Sequence, residues 1–254
     1  MKSFLIAFSM YSKIPVPQTE WTKKHMAWAL CWFPAVGVSV GTVLALWLIF
    51  ADFIGLGSMA RGAIALVIPF AISGGIHLDG LCDTADALGS HQSRERKLAI
   101  LQDSHIGAFA LIVCGLYLIV FFAFWCEIHV TKRLIPLLAL VPVLSRCLSA
   151  LGAVTIKNAR GSGLLAAFTE GADIKKARII LVFLSLITAA LMILLYPLMG
   201  VVMVSAALLS FLYYNIMSRR VFGGITGDLA GFFLQICELS CIVAAVTAQA
   251  FIGR

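Results

Sequence analysis

Seven stretches of this chain are apolar for long enough to cross a bilayer, and nothing else in it restricts the fold as much. About 30 Å of hydrocarbon needs about 20 helical residues. Runs near 27–53, 60–78, 107–127, 134–156, 179–196, 198–217 and 229–252 approach or exceed that length. Within hydrocarbon every backbone N–H and C=O must be satisfied inside the chain, and long apolar runs without strand alternation do this as helices. The expected fold is therefore all-α: a polytopic integral membrane bundle of about seven transmembrane helices, forming one domain over 1–254. The fifth and sixth runs are separated by little more than Pro197, so six spans is the alternative count. Only 12% of the residues are charged, about half the share in a soluble domain.

Lysine and arginine orient the bundle, because cytoplasmic loops collect them. Fourteen fall on one face: Lys2, Lys13, Lys23 and Lys24 before the first span, Arg94, Arg96 and Lys97 after the second, Lys157, Arg160, Lys175, Lys176 and Arg178 after the fourth, and Arg219 and Arg220 after the sixth. Arg61, Lys132, Arg133 and Arg254 take the other face, and Arg146 lies inside a span. The bias puts the N-terminus in the cytoplasm and gathers loops at about 74–106, 157–178 and 217–228 on that side. The net charge of +7 thus reports orientation, not nucleic-acid binding. The opening MKSFLIAFSMYSK has too brief an apolar run, and no small-residue cleavage site before Pro15, so it reads as a retained segment near the membrane surface. The seven cysteines form no CxxC pair and read as small apolar filler.

Three of the twelve carboxylates crowd into GIHLDGLCDTAD, residues 75–86. Asp79, Asp83 and Asp86 are spaced i, i+4, i+7, which places them within about 60° on one helix face. Like charges so stacked repel, and a divalent cation relieves that repulsion. Mg²⁺ prefers hard oxygen ligands shared between a few carboxylates and substrate phosphates, and two such ions could grip a phosphoryl group. A merely solvated helix face is the bland alternative, weakened by how few acids the chain has. Asp103, in LQDSHIG, is either a further ligand or an N-cap for the third span.

Other polar residues fall on the same side. Arg219 and Arg220 lead into VFGGITGD, where Gly223 and Gly224 allow backbone approach to a phosphate and Asp228 precedes a span. The alternative is an interhelical turn capped by Asp228. ARGSGL places Arg160 beside glycines, with the same two readings. Arg146 and Glu238 lie within apolar runs, where an unpaired charge costs several kcal/mol. Either they pair with each other or they line a substrate cavity.

GGIHLDGLCDTADAL followed by RERKLAILQDSHIGAFAL resembles the signature region of the cobalamin synthase family, the adenosylcobinamide-GDP ribazoletransferases or cobalamin-5′-phosphate synthases. KIPVP, Arg146, ARGSGL and GGITGDLAG followed by Glu238 extend the likeness over nearly the whole chain, with Lys13 in place of an arginine and Cys82 in place of a smaller residue. The resemblance implies a bacterial inner-membrane enzyme of vitamin B12 assembly, in which α-ribazole or its 5′-phosphate displaces GMP from adenosylcobinamide-GDP with Mg²⁺. It further implies that Asp79, Asp83 and Asp86 hold the metal, and that one of them or Asp103 takes the hydroxyl proton. Arg146, Arg160, Arg219, Arg220, Gly223, Gly224, Asp228 and Glu238 are then the candidate substrate-binding residues. A homo-oligomer, or association with other cobalamin-assembly enzymes, is left open.

Two other classes were weighed. A CDP-alcohol phosphotransferase also uses a membrane-surface aspartate constellation, but of its pattern only Asp79-Gly80 is reproduced, with no aspartate three residues earlier. A divalent-cation transporter places its acids between broken helices near the midplane, whereas these acids follow the end of an expected span.

Overall fold

The computed structural model describes residues 1–161, 165, 168 and 174–252. Among these it forms ten helices: α1 (Lys2–Tyr11), α2 (Lys23–Phe53), α3 (Ser58–Ser73), α4 (Ile76–Gly89), α5 (Arg94–Ile100), α6 (Ala108–Glu127), α7 (Ile135–Thr155), α8 (Ile174–Leu195), α9 (Pro197–Met217) and α10 (Gly227–Ile252). A π-helical turn, Ser218–Phe222, joins α9 to the last loop. Arg254, and most of the 157–178 connection beyond Gly161, lie outside the described residues.

Six helices are long and apolar enough to cross a membrane: α2, α6, α7, α8, α9 and α10. The run expected to span 60–78 does so only as a broken pair. It stops at Ser73, and α4 departs at 94° to α3. Gly74 and Gly75 make the corner, at φ 68° and 81°, a left-handed conformation that side chains with a Cβ resist. Gly74 and Gly75 both donate their N–H to the Phe70 carbonyl, which ends the helix. At 1.5 Å per residue α3 rises about 24 Å, less than a full hydrocarbon thickness. Counting α3 as a crossing keeps the expected alternation of seven.

Lipid tails are as apolar as leucine, so helices in a membrane associate through close packing, and small residues let them approach. α2 and α7 meet this way. A Cβ at Gly37 would stand 2.5 Å from the Pro142 carbonyl oxygen, and one at Gly41 would overlap the Ala139 carbonyl oxygen. α7 becomes the buried centre, with Leu137, Leu144, Cys147, Leu148 and Ala150 all inaccessible or nearly so. The faces of α6 and α8 bearing Leu111, Ile112, Ile119, Phe183, Leu186 and Leu194 are exposed, as hydrocarbon-facing surfaces should be.

At one end of the bundle the connections bond to one another. Lys13 donates its N–H to the Ile72 carbonyl. Lys157 and Ala159 exchange backbone bonds of 2.9 Å with Ile225, which ties the loop after α7 to the loop before α10. Gly224 is required there, because a Cβ would run into the Lys157 carbonyl oxygen. The expected convergence of loops on one face is thus made by main-chain bonds.

Substituting Gly41→Ala should lower stability in detergent by about 1–3 kcal/mol through overpacking, seen as a fall in Tm. Gly115→Ala, which meets nothing within 4 Å, should leave Tm unchanged or raise it.

Candidate functional site

The site is built where α4 crosses α10. A Cβ at Gly80 would lie 2.6 Å from the Asp228 carbonyl oxygen, and one at Gly231 would lie 3.1 Å from the His77 carbonyl oxygen. Both contacts are backbone against side-chain-free backbone. Gly227 and Gly231 have the small-xxx-small spacing of close helix contacts, but only Gly231 meets α4 closely, and a Cβ at Gly227 would meet nothing within 4 Å. Leu81 and Ala85 face inward while Asp79 remains exposed and Asp83 and Asp86 are half-buried.

The crossing sets Asp228 against the α4 acids. Asp83 feels burial first, then the negative charges of Asp79, Asp228 and Asp86, and these together push its carboxyl up to about 7; Arg160 opposes them. Arg160 forms an ion pair with Asp228 at 3.1 Å, and its Nε is buried without a partner. Asp228 is not the cap of α10. Thr226 does that, its Oγ1 accepting the Leu229 N–H and donating to Asp228 Oδ2 at 3.3 Å. The carboxylate is thereby free to face α4 and Arg160.

The three α4 aspartates divide into two kinds. Asp86 turns to the start of α6, where its Oδ2 accepts the Gly107 N–H at 2.7 Å and its Oδ1 accepts the Ala110 N–H at 2.8 Å. A carboxylate at a helix N-terminus satisfies orphan donors and complements the helix dipole. Asp86 therefore caps the helix for which Asp103 was the sequence candidate. Asp103 instead accepts the His105 backbone N–H at 3.0 Å and meets His105 Nδ1 at 2.6 Å within its own exposed loop. Those bonds hold its carboxyl below the usual range. Among the described residues no three carboxylate, imidazole or thiol groups converge at metal-ligand geometry.

Arg146 and Glu238 resolve their two readings by pairing at 2.7 Å, with side chains 1% and 6% exposed. Ser145 also donates to Glu238 at 2.8 Å, and Arg146 donates to the Pro142 carbonyl at 3.0 Å. The pair pins α7 to α10, and neither residue lines the main cavity. Arg219 and Arg220 are exposed on the π-helical turn, Arg219 donating to Asn215 Oδ1 at 2.9 Å. Gly223 (φ 76°) lies under the Arg94 guanidinium, which a Cβ would approach to 2.9 Å. Arg94 thus joins the two arginines, a neighbour the sequence reading did not pick out.

Asp79 and Asp228 also border a cavity of about 220 Å³. His77 and Tyr11 line it too. Neither was singled out from sequence, because a lone histidine and an N-terminal tyrosine carry no spacing signal.

A family model described as cobalamin-5-phosphate synthase matches residues 3–246 of the chain. The chain is similar to a protein of Lachnoclostridium phytofermentans named adenosylcobinamide-GDP ribazoletransferase, 43% identical over 252 residues, covering 99% of this chain and 96% of that one. It is also 32% identical over 249 residues to a protein of the same name from Clostridium botulinum strain Alaska E43, covering 96% of each. No solved structure matches it significantly.

Asp83 and the buried pair each make a measurable prediction. The folded protein keeps a proton on Asp83 that the unfolded chain releases above about pH 4. Without divalent cations, stability should therefore fall as pH rises from about 4 to about 7 and level off above. Asp83→Asn should remove that part of the decline in a Tm-against-pH series. Arg146→Leu strands the Glu238 charge and should cost about 3–5 kcal/mol, while Arg146→Leu with Glu238→Leu should recover most of it. Thermal unfolding in detergent reads both variants.

Proposed function

The chain belongs to the cobalamin-5-phosphate synthase family, and we propose that it joins adenosylcobinamide-GDP to α-ribazole or α-ribazole 5′-phosphate. A ribose hydroxyl oxygen of the acceptor bonds to the phosphorus that carries cobinamide. The pyrophosphate P–O bond breaks, and GMP leaves with the bridging oxygen. The hydroxyl proton passes to a carboxylate at the cavity mouth, where Asp79 and Asp228 stand. The product is adenosylcobalamin or its 5′-phosphate.

The observation that carries this reading is the crossing that brings acids of two helices, and Arg160, to the mouth of one cavity. Phosphoryl transfer depends chiefly on positioning and charge neutralisation. The donor set fits Mg²⁺ in its chemistry: hard oxygens only, with several carboxylates facing the one guanidinium of Arg160. Two of Asp79, Asp83 and Asp228, together with substrate phosphate oxygens, would hold the ion, since no three acids converge among the described residues. Asp86, with both oxygens taken by backbone N–H groups, anchors α4 to α6 instead. When bound, Mg²⁺ neutralises charge on the transferring phosphoryl group and the departing GMP. Arg160 is placed to add to that, and exposed Arg219 and Arg220 to attract the anionic donor electrostatically.

The excess of cations on the site's face supports a cytoplasm-facing site in the bacterial inner membrane. The break between α3 and α4 is of the kind transporters use, so helix geometry alone does not separate the two classes; family membership favours the enzyme.

GMP formation from adenosylcobinamide-GDP and α-ribazole tests the proposal directly. Asp79→Asn and Asp83→Asn should each lower Mg²⁺-dependent GMP release at least about 100-fold with Tm retained. Asp86→Asn should lower Tm, because an amide cannot accept both N–H bonds. Full activity in the first two variants, or no GMP from the wild type with either acceptor, would overturn the reading.

A further inference from the structure

The cavity beside Asp79 and Asp228 has a composition that neither acid explains. Tyr11, Phe33 and Phe168 contribute rings to its wall, and Leu30 and Ala150 contribute aliphatic surface. The rings are mutually packed: Tyr11 lies 4.3 Å from Phe33 and 6.2 Å from Phe168, centroid to centroid. His77 reaches the same wall from the first turn of α4, 5.7 Å from Phe33 and nearly parallel to Tyr11 at 24°. Its side chain is buried, with the residue 5% exposed, and Nε2 has no hydrogen-bond partner. A buried ring nitrogen left unpaired is destabilising unless something else completes the bond. The space is therefore mostly apolar and aromatic, with the Tyr11 and Ser149 hydroxyls, the two acids and the unpaired His77 Nε2 as its polar lining.

We infer that this cavity receives the planar base of the acceptor nucleoside, with His77 Nε2–H donating to the base's free ring nitrogen. The inference rests on the ribazole-transfer reading above and adds where, and by which residue, the acceptor is recognised. The base of ribazole is a benzimidazole: one ring nitrogen carries the ribose, and the other keeps an in-plane lone pair. Such a ring asks for apolar walls and one donor, and the cavity offers both. Guanine carries several donors and acceptors along its edge, and those facing Leu30, Phe33 and Ala150 would be left unpaired. A corrin exceeds 220 Å³ several-fold. With the base packed against the wall formed by Tyr11, Phe33 and His77, the ribose projects toward the acids, and its hydroxyls come to the carboxylates of Asp79 and Asp228. His77 is then a specificity residue, and α4 carries recognition on one face and the acids on another.

The test uses detergent-solubilised full-length protein, α-ribazole, and the indole riboside in which carbon replaces the free ring nitrogen. Wild type should bind α-ribazole at least about fivefold more tightly than the indole riboside, the scale of one hydrogen bond. His77→Phe should bind the two equally, with the KM for adenosylcobinamide-GDP unchanged. Ala150→Leu, which fills the cavity from α7, should raise the α-ribazole KM at least about tenfold and leave the other KM alone. Discrimination that persists in His77→Phe overturns the inference. So does an Ala150→Leu effect confined to adenosylcobinamide-GDP, which would place guanine there, or no effect at all, which would leave the cavity to a lipid chain. If neither variant accumulates as folded protein, equal binding of the two ribosides by wild type overturns it. Absence of GMP from wild type with every acceptor is a different result and defeats the functional reading itself.

Discussion

The backbone contact between α4 and α10 at Gly80 is the constraint on which the rest of the site depends. A side chain at position 80 would strike the Asp228 carbonyl, so only glycine lets the two helices come this close. That approach brings acids from two helices together, and burial first, then their mutual repulsion, raises the Asp83 pKa. Packing of Leu81 and Ala85 into the bundle holds the arrangement against the repulsion. A site held in this way stores unfavourable electrostatics in the free protein, and a bound cation releases it.

The surrounding polar contacts act as braces for this crossing. Asp86 fastens the far end of α4 to the first turn of α6. The Arg146–Glu238 pair fixes α10 to the central helix α7, and the main-chain bonds between Lys157, Ala159 and Ile225 hold Arg160 over Asp228. Each brace links two elements far apart in sequence, so the acids are positioned by the whole bundle and not by the GIHLDGLCDTAD segment alone. Buried ion pairs seldom add net stability over an apolar replacement, which fits a role in registering α7 against α10.

The broken α3–α4 pair narrows the distance between two functional classes. A half-length helix, a glycine corner and a second helix bearing acids would serve a transporter as readily as an enzyme. Family membership separates the two classes, and the aromatic walls with an unpaired imidazole nitrogen beside the acids suit a planar heterocycle.

Much of the molecule was legible in the sequence, because hydrocarbon imposes its demands locally. A run of about 20 apolar residues must be helical wherever it packs, and the spacing of Asp79, Asp83 and Asp86 follows from helix geometry alone. Loop cations predict the alternation of the chain, while the break at Gly74 and Gly75 inside the expected 60–78 run emerged with the structure. Other features were undetermined until helices met. Which acid caps α6, whether Arg146 pairs with Glu238 or faces a cavity, and that Thr226 rather than Asp228 starts α10 all depend on distances between segments. His77 and Tyr11 carry no periodic signature and acquire a role only because α1, α2, α4, α7 and α10 enclose them. Sequence by itself determined the helices, their order and the chemistry they carry. Only the tertiary structure decided which polar groups are used up in holding helices together and which are left over for a substrate, because that is settled by contacts across the bundle.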